Sequence, residues 1–191
     1  MLMENTAGKI AAATLRILEK EGAGAVSMRR VAALVGITPM AVYHHFPDRE
    51  SLLRSVTDRE FEKLVDYMRK TGKALGSRER LLSSVDYYID YAFAHPRVFD
   101  YVFSQSRPDA RRFPADFHAR RSPTMNVVAD IVAAAMEDGT IAKGDVWEIA
   151  FEFWALVHGY IALYRAGRIA LGEKQMRGLC RRGLERLVDG L

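Results

Sequence analysis

The stretch SMRRVAALVGITPMAVYHHFPDRESLL, residues 27–53, carries the clearest structural signal in the chain. Two short helices that cross steeply need a small residue where they touch, and Ala32 supplies it. The turn between them needs a residue that tolerates positive φ, and Gly36 follows four positions later. The second helix must bury an apolar residue against the first, and Val42 can do so. These three requirements, met together at this spacing, predict a helix-turn-helix.

Helix start and stop signals extend this prediction in both directions. An amphipathic helix is expected before the motif, over residues 6–21, because apolar residues recur there at three-and-four spacing. Ser27 is a good N-cap for the second helix, and Thr38 followed by Pro39 opens the third. Pro47 ends the third helix, and Asp48 caps a long fourth helix to about residue 70.

The rest of the chain also has helical periodicity and no hairpin signal. Helices are expected over about residues 77–95, 96–104, 115–137, 145–166 and 173–189, with Pro123 kinking or dividing the third of these. Residues 105–114 are expected to form an exposed loop. The fold class is therefore all-α with about nine helices: a three-helix DNA-binding domain over residues 1–50 and a helical bundle for ligand binding and dimerisation over 51–191.

Composition excludes several classes of protein. Among 191 residues the net charge is +4, which permits nucleic-acid binding without indicating it. Cys180 is the single cysteine, so neither an intramolecular disulfide nor a thiolate zinc site is expected. The first ten residues lack the apolar run of a signal peptide, and no apolar stretch is read as long enough to span a bilayer. A cytoplasmic protein without a membrane partner is predicted.

A helix-turn-helix places its second helix in the major groove of DNA, with the N-terminus leading. Polar and apolar side chains near that end are expected to contact bases, and the flanking ones to contact phosphates. The predicted DNA-binding residues are Ser27, Arg29, Thr38, Pro39, Met40, Tyr43, His44 and Arg49.

Plainer interpretations of some of these residues remain open. Tyr43 could be a core aromatic residue, and Arg29 could belong to a merely solvated face. His44 and His45 do not indicate a metal site, because adjacent side chains on a helix point about 100° apart.

The C-terminal region is rich in tyrosine and tryptophan, whose polar atoms need partners when buried. A cavity with a partly polar lining would supply them, as in ligand sites, although a bundle core could use many of the same residues. The predicted ligand-binding residues are Tyr87, Tyr91, Phe103, Met125, Phe151, Trp154 and His158. His158 lies one turn after Trp154 and could equally be a satisfied core or interface histidine.

The last helix has an apolar stripe that packs either on its own bundle or on a second copy. Its members are Met176, Leu179, Cys180, Leu184, Leu187 and Val188. Together with the preceding helix, this stripe could form a four-helix interface between two subunits.

The order of motifs over residues 6–55 resembles the TetR/AcrR family of repressors. The resemblance rests on the lone first helix, the ending Ala41-Val42-Tyr43-His44-His45-Phe46 and the cap Asp48-Arg49-Glu50. Arg49 stands where the family has Lys, and Met40 where Gly is frequent. The segment Trp154-Ala155-Leu156-Val157-His158-Gly159 is similar to the Trp-x-x-x-His-Gly signature of one C-terminal subgroup. This resemblance implies that the last two helices form a homodimer interface.

Together these observations predict a one-component regulator: a repressor that a small hydrophobic or aromatic effector releases from operator DNA. The fourth helix would transmit the change, because it joins both halves of the chain. No cofactor is expected. An all-α enzyme is a poor alternative, since paired carboxylates, metal motifs and phosphate loops are not found in the sequence. A regulator without an effector, whose bundle serves only dimerisation, is the other alternative.

Overall fold

A computed structural model describes residues 6–71, 75–103 and 110–191, with only the backbone described at residues 70 and 71. These residues form ten α-helices and no strand, which confirms the all-α prediction. The helices are α1 (Thr6–Glu21), α2 (Met28–Val35), α3 (Pro39–His45), α4 (Arg49–Thr71), α5 (Ser77–Ala94), α6 (Pro96–Phe103), α7 (Ala115–His118), α8 (Pro123–Glu137), α9 (Val146–Arg165) and α10 (Glu173–Gly190).

One predicted helix, over residues 115–137, is two helices in the structure. The four-residue α7 ends at His118, and α8 begins with Pro123 in its first turn. Proline is favoured at that position, where its missing N–H has no helical partner to lose. Of the two alternatives at Pro123, division rather than kinking is the one observed, and it raises the helix count from about nine to ten.

The contacts group the chain into two compact units. The first unit holds Met1–Phe61 and Ala94–Ala110, and the second holds Glu62–Phe93 and Arg111–Leu191. The continuous helix α4 thus contributes to both units, and α6 belongs to the first. This grouping divides the chain inside α4, after Phe61, rather than at residue 50. The domain boundary at residue 50 stays a prediction. Of the predicted loop over residues 105–114, residues 105–109 lie outside the described part of the chain.

In the first unit, α1 packs against α2 and α6, and α2 packs against α3. Gly36 has the positive φ, 75°, that the turn between α2 and α3 requires, and its amide donates to the carbonyl of Ala32. Val31 and Val42 are fully buried between the helices. The local rules that predicted the motif therefore act here as expected.

In the second unit, α9 packs against α8 and α10. Ion pairs join α10 to α5: Arg181 reaches Glu79 at 2.9 Å and Asp86 at 3.3 Å, and Arg177 reaches Asp90 at 2.6 Å. The order of these pairs shows that α5 and α10 run antiparallel. Burial raises the pKa of the Asp86 carboxyl and, to about 12, that of the Cys180 thiol. Cys180 is therefore a buried, protonated thiol and an apolar packing group.

Candidate nucleic-acid interface and effector site

The first turns of α3 are turned away from the unit's own core. Met40 is 76% exposed and Tyr43 is 48% exposed, while Thr38, Pro39 and His44 are also exposed. Val42 on the opposite side is fully buried. The exposed face therefore contains every α3 residue that the sequence selected for DNA contact, and Tyr43 is not a core residue.

Two hydroxyl groups cap the helices of the motif. The Ser27 hydroxyl accepts a hydrogen bond from the amide of Arg30, and the Thr38 hydroxyl accepts one from the amide of Ala41, each at 3.2 Å. In both residues the hydroxyl hydrogen is left to donate, and a phosphate oxygen is a suitable acceptor. Capping and phosphate contact are therefore compatible for Ser27 and Thr38.

The two arginines that follow Ser27 differ in their surroundings. Arg29 is exposed, whereas Arg30 pairs with Glu21 and donates to the carbonyl of Ala25 at 3.3 Å. The pairing lowers the pKa of the Glu21 carboxyl. This arrangement ties α2 to the end of α1 and leaves Arg29 facing solvent, as a phosphate contact requires.

Arg49 at the start of α4 holds backbone rather than projecting outward. Its Nε donates to the carbonyl of Val26 at 2.9 Å, a terminal nitrogen donates to that of Ala23 at 2.5 Å, and the guanidinium pairs with Glu50. These bonds position the turn that precedes Ser27. A phosphate contact by Arg49 stays a prediction, and this geometry supports a positioning role instead.

Helix α6 is attached to the DNA-binding helices by polar contacts that the sequence analysis missed. Arg97 donates to the carbonyls of Glu19, at 2.9 Å, and Lys20. His95 Nδ1 lies 2.8 Å from the Glu19 carboxylate, and the Tyr101 hydroxyl donates to Glu50 at 3.1 Å. A cation at the last carbonyls of a helix is favourable. No local pattern signals these contacts, because the Arg97 and His95 partners lie over 70 residues away in sequence.

In the second unit, four aromatic side chains form one cluster between α9 and the segment that contains α7. The ring centroids of Phe113 and Phe151 are 4.6 Å apart, those of Phe117 and Phe151 6.1 Å, and those of Phe151 and Trp154 5.5 Å. Phe117 is 4% exposed. Phe151 and Trp154 were predicted ligand contacts, whereas Phe113 and Phe117 were not.

Trp154 of this cluster also belongs to a chain of hydrogen bonds with Tyr88 and His158. The Trp154 indole, which can only donate, donates to the Tyr88 hydroxyl at 3.0 Å, and that hydroxyl lies 3.2 Å from His158 Nδ1. Burial lowers the pKa of His158 and raises that of the Tyr88 phenol, so both are uncharged near neutral pH. The predicted residues Trp154 and His158 therefore meet, through a tyrosine that the sequence analysis did not select.

Two of the remaining predicted ligand residues, Tyr87 and Phe103, pack elsewhere. Tyr87 packs on Tyr67, with ring centroids 4.7 Å apart, rather than on the aromatic cluster. Phe103 belongs to the first unit, where it packs on Phe61 and Phe99. Tyr91 and Met125 are buried. The structure thus brings together Phe151, Trp154 and His158, which share one face of α9, and Tyr91 lies near enough to Tyr88 to raise the pKa of its phenol.

An open depression of about 530 Å³ lies at another end of the second unit, between the start of α5, the α8–α9 loop and the end of α10. Arg78, Lys143 and Asp189 are among its lining residues, and none of the seven predicted ligand residues is.

Helix α9 has an extensive apolar surface that its own unit leaves uncovered. By length and composition α9 could cross a membrane, which the sequence analysis did not foresee, yet only 28% of its most apolar window is buried. Leu163 is 50% exposed and Ala162 is exposed in the last turns of the helix, whereas the exposed residues nearer its start include Glu148 and Glu152. Contiguous exposed apolar surface on a helix of a helical bundle is typical of an interaction site.

Comparisons with known proteins agree with this fold. Residues 10–56 match the model of bacterial regulatory proteins of the tetR family, and residues 81–187 match the model of the tetracyclin repressor-like C-terminal domain. A curated relative, an uncharacterised HTH-type transcriptional regulator of Mycobacterium tuberculosis, is 25% identical over 80% of this chain and 67% of its own length.

Solved structures with the same fold include proteins crystallised with small molecules. A Rhodococcus protein of unknown function has a TM-score of 0.80 at 23% identity, covering 98% of this chain and 95% of its own. The regulator FadR from Bacillus subtilis, in complex with stearoyl-CoA, has a TM-score of 0.75 at 16% identity, covering 96% and 98%. A Saccharomonospora viridis protein in complex with choline has a TM-score of 0.74 at 19% identity, covering 94% and 95%.

Membership of the subgroup with the Trp-x-x-x-His-Gly signature stays a prediction. The family itself follows from the two matches, since the C-terminal match alone spans more than half of the chain and the N-terminal match spans the helix-turn-helix. The chain belongs to the tetR family of bacterial transcriptional regulators.

Proposed function

We propose that this regulator is a repressor that leaves its operator when a small hydrophobic or aromatic effector binds the second unit. The observation that carries the proposal is the outward face of α3, where Met40 and Tyr43 are exposed beside the two capped helix starts. Large apolar and aromatic side chains are costly to leave in water, so their exposure favours a partner surface.

DNA recognition is proposed to divide between bases and phosphates. Thr38, Pro39 and Met40 lie at the N-terminal end of α3 and would face base edges, with Met40 suited to a thymine methyl group. Ser27, Arg29, Tyr43 and His44 flank them and would contact phosphates, which position the protein without reading sequence.

Operator binding is proposed to need a homodimer built from α9 and α10. The exposed apolar side of α9 supports this, since a two-fold axis can pair the same surface on two copies. Two copies would present two α3 helices about one DNA turn, or a multiple, apart. The same pairing explains why α9 resembles a membrane span in composition while lying in a regulator expected in the cytoplasm.

The effector is proposed to bind at the aromatic cluster of α9. Phe151 and Trp154 supply aromatic faces, and the neutral Tyr88–His158 pair supplies hydrogen-bonding atoms. The stearoyl-CoA and choline complexes of similarly folded proteins support a ligand role for this kind of bundle.

A route from effector to DNA is proposed along two helices. Tyr88 lies on α5, and the chain passes at once from α5 into α6, whose Arg97 binds the end of α1. Helix α4 likewise runs unbroken from the first unit into the second. The effector would favour one position of α5 or α4, and with it one arrangement of the DNA-binding helices. Operator affinity would then change by at most the ratio of the effector's affinities for the DNA-binding and the released arrangement.

A gel-shift assay with the DNA upstream of the protein's own gene tests the proposal. We expect a retarded complex at moderate salt that survives an excess of unrelated duplex DNA. If an excess of unrelated duplex DNA abolishes the retarded band, specific recognition is contradicted. A regulator without an effector is the second candidate, favoured by the way Phe113 and Phe117 fill the space beside Phe151.

A further inference from the structure

Residues 111–121, which we call the lid segment, cover the aromatic cluster from outside α9. The segment has two faces of opposite chemistry. Phe113 and Phe117 point inward onto Phe151 and Trp154, while its four arginines are exposed: Arg111, Arg112, Arg120 and Arg121. Such a segment buries its apolar side against the bundle and keeps its charged side in water.

The lid segment is bonded to itself into one compact piece. The Asp116 carboxylate accepts from the amide of Arg112 at 2.8 Å and from the guanidinium of Arg121 at 2.9 Å. Arg111 donates to the carbonyl of Arg121 at 2.7 Å, which joins the two ends of the segment. These bonds lie within the segment, so they persist if it moves away from α9 as a unit.

The lid segment is attached to the helices beneath by surface contacts, among them the stacking of His118 on the Trp147 ring with centroids 6.2 Å apart. Arg120, in the left-handed region at a φ of 56°, pairs with Asp130 at 2.7 Å and lies 5.6 Å from the Trp147 ring. Its carbonyl accepts from the Asn126 side chain at 2.8 Å. Exposed ion pairs and cation–π contacts contribute little because water competes for the charges, so burial of the two phenyl rings contributes most of the attachment.

We infer that Phe113 and Phe117 occupy the effector's place, and that a two-ring planar aromatic molecule displaces them when the lid segment opens. This rests on the proposed function, because it names the class of effector for the same site. Phe113 is tilted by 32° to Phe151 and Phe117 by 36° to Trp154, so each ring that the ligand must replace is partly stacked on one wall, while Phe117 meets Phe151 edge-on at 86°. A flat molecule preserves that stacking, whereas a flexible acyl chain does not.

The neutral end of the cluster adds a second requirement. A ligand that replaces both rings reaches Trp154, whose indole is bonded to Tyr88 and through it to His158. Burial disfavours a charge there, as the lowered pKa of His158 indicates. An uncharged hydrogen-bonding group, such as an aromatic amine or a phenol, suits this end better than a carboxylate.

Binding of 2-naphthol, an uncharged fluorescent phenol with two fused planar rings, tests this inference. If the lid is open in only about a tenth of molecules, wild-type affinity is reduced about tenfold, and removing a plugging ring restores it. We expect Phe113→Ala to bind the probe about tenfold more tightly than wild type, and Phe117→Ala likewise. Unchanged or weaker binding by Phe113→Ala would overturn the inference, because the ring would then be part of the wall.

Phe93→Ala is the matched control. Phe93 is another half-buried ring of the second unit, packed on Tyr164 and Arg177 rather than on the cluster. It should leave probe affinity at the wild-type value. A gain equal to that of Phe113→Ala would show general loosening of the unit and would count against the lid.

Trypsin cleavage of the wild-type protein keeps the test independent of any variant's stability. Saturating probe should speed cleavage after the lid arginines several-fold, with no change at Arg168, which is exposed in the turn between α9 and α10. Slower or unchanged cleavage at the lid would contradict opening. Neither experiment uses DNA. The inference about the lid segment and the proposal of operator binding can therefore be contradicted independently of each other.

Discussion

Tyr43 illustrates how one exposed side chain links the fold to DNA binding. It lies one turn after the N-terminal end of α3 and is 48% exposed, whereas the neighbouring Val42 is fully buried. A phenol that bonds a phosphate contributes about 1 kcal/mol, roughly a fivefold change in affinity.

Replacing Tyr43 by Phe should therefore weaken operator binding roughly fivefold while leaving the free energy of unfolding unchanged. Gel-shift titration and urea unfolding measure the two quantities. Tyr67→Phe is the matched control, since Tyr67 is equally exposed, at 49%, but lies on the part of α4 that belongs to the second unit. Equal losses for the two variants would remove Tyr43 from the interface.

His158 makes the stability of the second unit depend on pH. Burial lowers its pKa below the usual 6.5, so the folded protein holds a neutral ring where the unfolded chain would bind a proton. Stability is therefore complete above about pH 6.5 and falls as the pH drops from there towards the folded-state pKa.

Urea unfolding between pH 7.5 and 5.5 should show this loss in the wild type and a flatter profile in His158→Gln. His45→Gln, at an exposed position on α3, should keep the wild-type slope. A wild-type profile that stays flat over this interval would show that His158 is not held neutral by burial.

At the scale of elements, α9 and α10 approach closely at one glycine. A β-carbon added at Gly183 would lie 2.9 Å from the Tyr160 hydroxyl and 3.1 Å from a carbon of its ring. One at Gly178, on the same helix, would meet only the mobile end of Arg182, at 3.3 Å. The two glycines therefore share a helix and differ in what alanine would touch.

Alanine in place of glycine inside a helix stabilises it by up to about 1 kcal/mol. Gly178→Ala should show that gain, whereas Gly183→Ala should destabilise because the tyrosine must move. In a Tyr160→Leu background, Gly183→Ala should become stabilising. Thermal or urea unfolding of the four variants gives the coupling energy, and additive effects would mean that Tyr160 does not limit the approach.

The contacts of α6 suggest why this helix belongs to the DNA-binding unit. Arg97 and Tyr101 of α6, with His95 just before it, bond to Glu19 and Lys20 near the end of α1 and to Glu50 at the start of α4. Helix α6 also follows directly after α5, as the proposed route from effector to operator requires.

At the scale of the whole molecule, the exposed apolar side of α9 is the surface that the proposed homodimer would bury. Leu163→Glu places a charge on that side and should convert a dimer to monomers, because burying an unpaired carboxylate at an interface is costly. Sedimentation would show the change in mass, and operator affinity should fall at least about tenfold because only one α3 could engage at a time. Leu75→Glu, at a leucine 38% exposed before α5, should remain dimeric.

The sequence by itself determined the local structure and the family. The Ala32–Gly36–Val42 spacing, the caps at Ser27 and Thr38 and the exposed side of α3 all follow from rules that act within a few residues. The same rules defined the helices of the bundle, and they allowed Pro123 either to divide a helix or to kink it.

Tertiary structure alone decided which distant side chains meet. Trp154 and Tyr88 are 66 residues apart in sequence, and Arg49 and Val26 are 23 apart. Tyr87 and Tyr88 are neighbours of the same chemical type, and the rotation of α5 in the bundle sends only Tyr88 to Trp154 and His158. Helical periodicity specifies which residues share a face, whereas packing against other helices decides what that face touches.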